Sequence, residues 1–106
     1  MAKYLLQASY SPEGVRGLLR EGGTGRREAV TDLVQGLGGS VEAFSYAFGA
    51  DDVYVIVELP DNVAAAAASL AVGASGAARA HTVALVTPEE IDEATRKVAR
   101  YRPPGA

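Results

Sequence analysis

The sequence predicts an α+β domain with the element order β-α-β-β-α-β and one further helix at its C-terminal end. Short runs rich in β-branched and aromatic residues alternate with stretches whose apolar residues recur at helical spacing, and proline or glycine separates the two kinds. The chain has 106 residues, of which 48% are hydrophobic. That length corresponds to one domain, residues 1–106, with a core that needs no disulfide or metal.

The first half of the chain predicts one strand and a broken helix. Lys3–Tyr10 is a short aromatic run that stops at Ser11-Pro12, where Ser11 can cap a helix and proline suits its first turn. Three glycines within residues 21–25 break this helix. We expect a second helical piece to begin with Thr24 as its N-cap and to end at Gly38-Gly39.

The second half predicts a hairpin, a helix, a strand and a final helix. These elements are Ser40–Phe48, Val53–Leu59, Val63–Val72, His81–Val86 and Pro88–Tyr101. The complete order is that of the ferredoxin-like sandwich, in which four antiparallel strands carry helices on one face.

The opposite face of such a sheet is left bare. Strict alternation along residues 40–48 assigns Phe44, Tyr46 and Phe48 to this bare face and the smaller alternate residues to the helices. A bare apolar face is an association surface. We therefore expect a homodimer in which two sheets pack face to face and enclose a barrel-like interior.

Composition excludes several classes of function. The net charge of −3 and the pI of about 5.0 argue against nucleic acid as a partner, because phosphate contacts need clustered lysine and arginine. With no cysteine and one histidine, no metal site is predicted, and no motif implies a cofactor. No apolar stretch reaches the ~20 residues of a membrane span and no leader-like segment opens the chain, so a cytoplasmic protein is expected.

The residues that could carry chemistry lie on the third and fourth strands. Tyr54 and Glu58 share one face of Val53–Leu59 with Asp52, and a carboxylate in an apolar interior would have a raised pKa and could move protons. His81 is the one histidine of the chain, and its two-residue alternation with Arg79 predicts that both face the bare side. The catalytic candidates are therefore Glu58, His81 and Tyr54. The competing interpretation is that these are ordinary strand-end and interface residues.

A ligand-binding cavity is expected between the bare face and its dimer partner. The candidate lining residues are Tyr10, Tyr46, Tyr54 and Arg79. Arg26 and Arg27 follow three glycines, but their segment lacks the Gly-Lys-Ser/Thr ending of a phosphate loop. We interpret this basic pair as solvated.

A spaced set of residues extends over nearly the whole chain: in order, Tyr4, Tyr10, Gly14, Arg26-Arg27, Leu37-Gly38-Gly39, Val41, Phe44, Gly49 to Asp52, Val53 to Asp61, Gly73, Gly76, Arg79 and Thr87-Pro88-Glu89-Glu90. In these residues the chain resembles the GYD domain family of small prokaryotic dimeric α+β barrel proteins. Asp51 stands where the motif that names the family has tyrosine. The resemblance implies the fold and a dimer, and it implies no particular reaction.

Two functions remain open at this point. In the first, the dimer binds a small hydrophobic or aromatic molecule, or a protein partner, without catalysis. In the second, it is a cofactor-free enzyme that acts on an aromatic or polyketide-like substrate by proton transfer or oxygen addition. The second follows from fold analogy, which is a poor guide to the reaction.

Overall fold

The computed structural model describes residues 1–106. Its elements are β1 (Ala2–Tyr10), α1 (Pro12–Glu21), α2 (Gly23–Gly36), β2 (Ser40–Tyr46), β3 (Val53–Leu59), α3 (Asn62–Ala74), β4 (Ala78–Leu85) and α4 (Pro88–Thr95). The strands form one sheet in the order β2-β3-β1-β4, and all three neighbouring pairs are antiparallel. The predicted ferredoxin-like α+β fold is confirmed.

Local signals define the helix ends. Ser11 caps α1, because its Oγ accepts a hydrogen bond from the Gly14 amide at 3.1 Å. Thr87 and Glu90 form the predicted capping box of α4, with bonds of 3.1 and 2.8 Å. The expected cap of α2 at Thr24 is wrong: α1 ends at Glu21, Gly22 is its C-cap with a φ of 81° that favours glycine, and α2 starts at Gly23.

The core lies between the sheet and helices α2 and α3. Burial alternates along β3, where Val53, Val55, Val57 and Leu59 face the helices. Val34 of α2 is fully buried against them. Ala65 and Ala68 are the buried residues of α3, as expected if small side chains let this helix lie close to the sheet.

A β-bulge in β2 overturns the expected assignment of the aromatic residues. Val41 lies opposite Val57, but Ala43 lies opposite Ile56, so the extra residue Glu42 shifts the alternation by one. Phe44 consequently lies opposite Val55 and packs against the core on the helix-covered side.

The same shift decides the positions of the other two aromatic residues. Tyr46 lies opposite Val53 and therefore faces the helices. Phe48 follows the end of β2 and is fully exposed in the β2–β3 turn. None of the three aromatic residues lies on the open face of the sheet.

The predicted boundaries of β2, β4 and α4 also change. β2 ends at Tyr46 rather than Phe48, and β4 runs from Ala78 to Leu85 rather than from His81 to Val86, because its pairing with β1 begins at Tyr10. α4 ends at Thr95 rather than Tyr101.

The segment that follows β4 projects from the rest of the chain. It contains no buried residue, and Ile91 of α4 is half exposed. The radius of gyration is 16.7 Å, against about 13 Å for a compact chain of this length.

None of the four helices combines the length and the apolar content that crossing a bilayer requires.

Candidate functional site

The open face of the sheet carries an apolar row across all four strands. Strand register aligns Ala43, Ile56, Leu5 and Val83 in that order from β2 to β4. All four side chains point away from the helices, because the residues before and after each of them in the strand point toward the helices. Val83 is 41% exposed. A single protomer thus leaves a continuous apolar strip uncovered.

A polar row runs beside this strip. Register places Gln7 directly between Tyr54 of β3 and His81 of β4, and Ser45 continues the row on β2. Arg79 lies one alternate position beyond His81, opposite Ser9. The predicted sharing of one face by Tyr54, Arg79 and His81 is confirmed, with Tyr54 and His81 about 10 Å apart across two strand spacings.

Glu58 shares the open face but lies away from this row. It is paired with Lys3 of β1 and Ser40 of β2, four residues along β3 from Tyr54. That separation is about 13 Å along the strand, and the diagonal to His81 is about 17 Å. Within one protomer, Glu58 and His81 are therefore too far apart to act on the same atom of a small substrate.

An ion pair marks the Glu58 end of the face. Lys3 Nζ lies 3.0 Å from a carboxylate oxygen of Glu42 and donates a hydrogen bond to its other oxygen at 3.2 Å. This hydrogen bond, together with the negative charge of Glu42, raises the pKa of Lys3. Since both side chains are exposed, the pair contributes little to stability.

The other two ligand-binding candidates lie on the opposite side of the sheet. Tyr10 packs against the core, and the hydroxyl of Tyr46 donates to the Gly23 carbonyl at 3.0 Å. The ring of Tyr46 meets that of Phe44 edge to face at 5.4 Å. Tyr10 and Tyr46 consequently cannot line the same surface as Tyr54 and Arg79.

Burial and a neighbouring phenol change the acidity of Tyr46. Partial burial is the main cause of its raised pKa, and the nearby Tyr10 phenol acts in the same direction. The positive charges of Arg26 and Arg27 act in the opposite direction but do not outweigh it.

Gln7 was not singled out from the sequence, and Arg26 was interpreted there as solvated. Gln7 completes the polar row, and only the alternation of β1 could have placed it beside Tyr54 and His81. Arg26 is not simply solvated, because it lines an apolar cavity beneath the helices and its side chain is 32% exposed. No three His, Asp or Glu side chains lie close enough together to hold a metal ion.

The family model described as GYD domain matches residues 4–95. The chain belongs to the GYD domain family. No curated protein and no solved structure matches the chain.

The β2–β3 turn of this GYD domain is held against β1 by hydrogen bonds. Asp51 accepts a hydrogen bond from Ser9 Oγ at 2.9 Å, and Asp52 Oδ2 accepts one from the Tyr10 amide at 2.8 Å. The Asp52 amide in turn donates to the Ala8 carbonyl at 2.9 Å. In this GYD domain Asp51 and Asp52 therefore stabilise the turn by hydrogen bonds to β1.

Proposed function

We propose that this GYD domain is a homodimeric binding protein that pairs through the open face of its sheet and holds a small hydrophobic or aromatic molecule there without catalysis. The observation that carries the proposal is the uncovered apolar row of Ala43, Ile56, Leu5 and Val83 beside the polar row of Tyr54, Gln7 and His81. A second sheet would bury the apolar row, and the polar row would offer hydrogen bonds to a bound molecule.

The charges of the face favour a second copy of the chain as the occupant. Arg79 lies at one corner of the face, and Glu42 and Glu58 lie toward the diagonally opposite corner with Lys3. A two-fold axis parallel to the sheet can place each Arg79 over the partner's acidic corner, twice in one symmetric interface.

The low burial of a single protomer supports the same occupant. Only 9 of the 106 residues are buried, and none of these lies after β4. A surface with this much uncovered apolar area is typical of association.

Within one protomer, the candidate catalytic residues lie too far apart to act on one reacting atom. General acid–base chemistry needs the base within hydrogen-bond reach of the reacting atom, and Glu58 lies about 13 Å from Tyr54 along β3. Tyr54 and His81, with Gln7 between them, can instead orient a polar edge of a ligand.

Sedimentation velocity at micromolar concentration tests the dimer. We expect a species of twice the 10.9 kDa chain mass, and we expect Ile56→Asp to yield a folded monomer because this side chain faces away from the core. The matched control is Leu19→Asp, which makes the same kind of change on the exposed surface of α1 and should leave the dimer intact. A wild-type monomer would overturn the proposed assembly.

Thermal-shift measurements with uncharged aromatic probes, indole and 2-naphthol, test the binding site. The melting temperature of the wild type should rise, and the rise should be lost in Tyr54→Ala and in Ile56→Asp. Equal shifts in Ile56→Asp would contradict a site at the interface. Chemical conversion of a bound compound, followed by chromatography, would contradict binding without catalysis.

A further inference from the structure

A small apolar cavity lies on the other side of the sheet, beneath α2 and α3. Its volume is about 70 Å³, and 12 of its 14 lining residues are hydrophobic, among them Leu6, Phe44, Val55 and Val72. Alanine at positions 8, 68, 78 and 80 leaves the space open. Because a dry apolar cavity of about 150 Å³ accommodates benzene, this one has room for roughly three carbon atoms.

The cavity adjoins a wider and more polar cleft. Tyr10 and Arg26 line both spaces, and the cleft, about 520 Å³ in volume, lies between α1, the start of α2 and the chain before β4. An apolar group that enters the cavity must therefore leave the rest of its molecule beside Arg26.

The cleft is positively charged although the whole chain is negative. Arg16, Arg20 and Arg26 line it against two acidic residues, Glu13 and Glu21. Arg26 pairs with Glu21 at 3.3 Å, while Arg16 and Arg20 form no ion pair. A guanidinium fork at the edge of an apolar space suits a carboxylate, which it can bind through two parallel hydrogen bonds.

The walls of the cleft are held in place by contacts within the chain. The Ser11 amide donates to the Ala77 carbonyl at 2.8 Å, and Gly14 approaches this carbonyl so closely that a Cβ there would lie 2.1 Å from its oxygen. The Tyr46 hydroxyl holds the first residue of α2 through the Gly23 carbonyl. Because these walls are already fixed before a ligand binds, little binding affinity is lost in ordering them.

From these observations we propose that each protomer has a second binding site, on the helix side of the sheet, for a small carboxylic acid with an apolar tail. The last three or so carbons of the tail occupy the cavity beneath α2 and α3, the methylenes nearer the carboxylate lie at its mouth, and the carboxylate binds Arg26 there. The site is complete within one protomer, so it does not depend on the interface site proposed above.

Isothermal titration calorimetry with hexanoate, hexan-1-ol and acetate tests this site. Hexanoate should bind once per protomer, about tenfold more tightly than hexan-1-ol, which lacks the charge, and than acetate, which lacks the tail. It should bind equally well to the monomeric Ile56→Asp variant. Equal affinity for hexanoate and hexan-1-ol, no binding of hexanoate at millimolar concentration, or loss of binding in Ile56→Asp would overturn the proposal.

Two variants that should change hexanoate affinity in opposite directions distinguish direct contact with the ligand from a structural role. Arg26→Gln should weaken hexanoate binding about tenfold, whereas Glu21→Gln should strengthen it, because it frees Arg26 from its ion pair. Arg100→Gln makes the same charge change in the exposed C-terminal segment and should leave binding unchanged. An equal loss in Arg26→Gln and Arg100→Gln would contradict the site.

A cavity-filling variant tests the position of the tail. Ala80→Leu should abolish hexanoate binding while circular dichroism remains that of the wild type. Should this variant fail to fold, the smaller change Ala78→Val makes the same test from the same strand. Unchanged binding in a folded variant would overturn the placement of the tail.

Discussion

Asp51 Oδ1 accepts a hydrogen bond from Ser9 Oγ at 2.9 Å, which ties the β2–β3 turn to the end of β1. The same hydroxyl lies 3.1 Å from the Ala50 carbonyl, and Asp52 receives the neighbouring Tyr10 amide. β1 extends past Val53, the first residue of β3, at this point. The turn therefore replaces the missing strand partner and supplies acceptors that β3 cannot.

Replacing Asp52 with alanine tests this anchoring. We expect a loss of about 1–2 kcal/mol in the free energy of unfolding, because the Tyr10 amide loses a charged acceptor in a partly buried position. Asp52→Asn keeps an acceptor oxygen and should lose less. Urea denaturation at one fixed protein concentration measures both. Asp92→Ala on the exposed α4 is the control, and an equal loss there would contradict the anchoring role.

Gly14 and Gly17 form a matched pair on α1. A Cβ at Gly14 would lie 2.1 Å from the Ala77 oxygen, whereas the nearest atom to a Cβ at Gly17 lies 4.0 Å away, at the end of the Arg20 side chain. Gly14→Ala should destabilise by about 2–3 kcal/mol through overpacking against backbone. Gly17→Ala should stabilise by about 0.5–1 kcal/mol through helix propensity. Thermal unfolding measures both changes. Similar melting temperatures for Gly14→Ala and Gly17→Ala would contradict the close approach of Gly14 to the Ala77 carbonyl.

Phe44 is expected to act on stability and not on assembly. It packs against the core on the helix side, so Phe44→Ala should lower the free energy of unfolding by about 2–3 kcal/mol while the sedimentation coefficient stays that of the wild type. Phe48 is fully exposed, and Phe48→Ala should change stability by less than about 0.5 kcal/mol. Dissociation of Phe44→Ala into folded monomers would place this ring at the interface instead.

The sequence predicted the fold class because its signals are local. β3 is a β-branched run whose alternate residues all face the core, Pro12 and Pro88 follow capping residues, and Gly22 has the positive φ that ends a helix. Element type follows from such patterns within a few residues. The start of β4 was harder to place, because Ala78 and Ala80 carry no strand signal and become part of the strand only by pairing with β1.

The candidate site was predicted only in part, because a strand's face depends on its register with another strand. Tyr54, Arg79 and His81 follow plain alternation, and their shared face was predicted correctly. Phe44 and Tyr46 were assigned to the wrong face, because the bulge at Glu42 is a property of the pairing with β3 and leaves the alternation in the sequence undisturbed. The cavity beside Arg26 depends on the packing of two helices that are distant in sequence.

Tyr46 predicts how stability changes at alkaline pH. Its pKa in the folded protein is raised above the ordinary 10.0, so the unfolded chain loses this proton first. The stabilisation is therefore complete below pH 10.0 and is lost as the pH rises through the folded-state pKa. Urea denaturation across this range should show a shallower alkaline decline in the free energy of unfolding for Tyr46→Phe than for the wild type.

Part of this decline should persist in Tyr46→Phe, because the pKa of Lys3 is also raised. Tyr101→Phe in the exposed C-terminal segment is the control and should match the wild type. An alkaline decline in Tyr46→Phe as steep as in the wild type would show that the Tyr46 proton is not linked to folding.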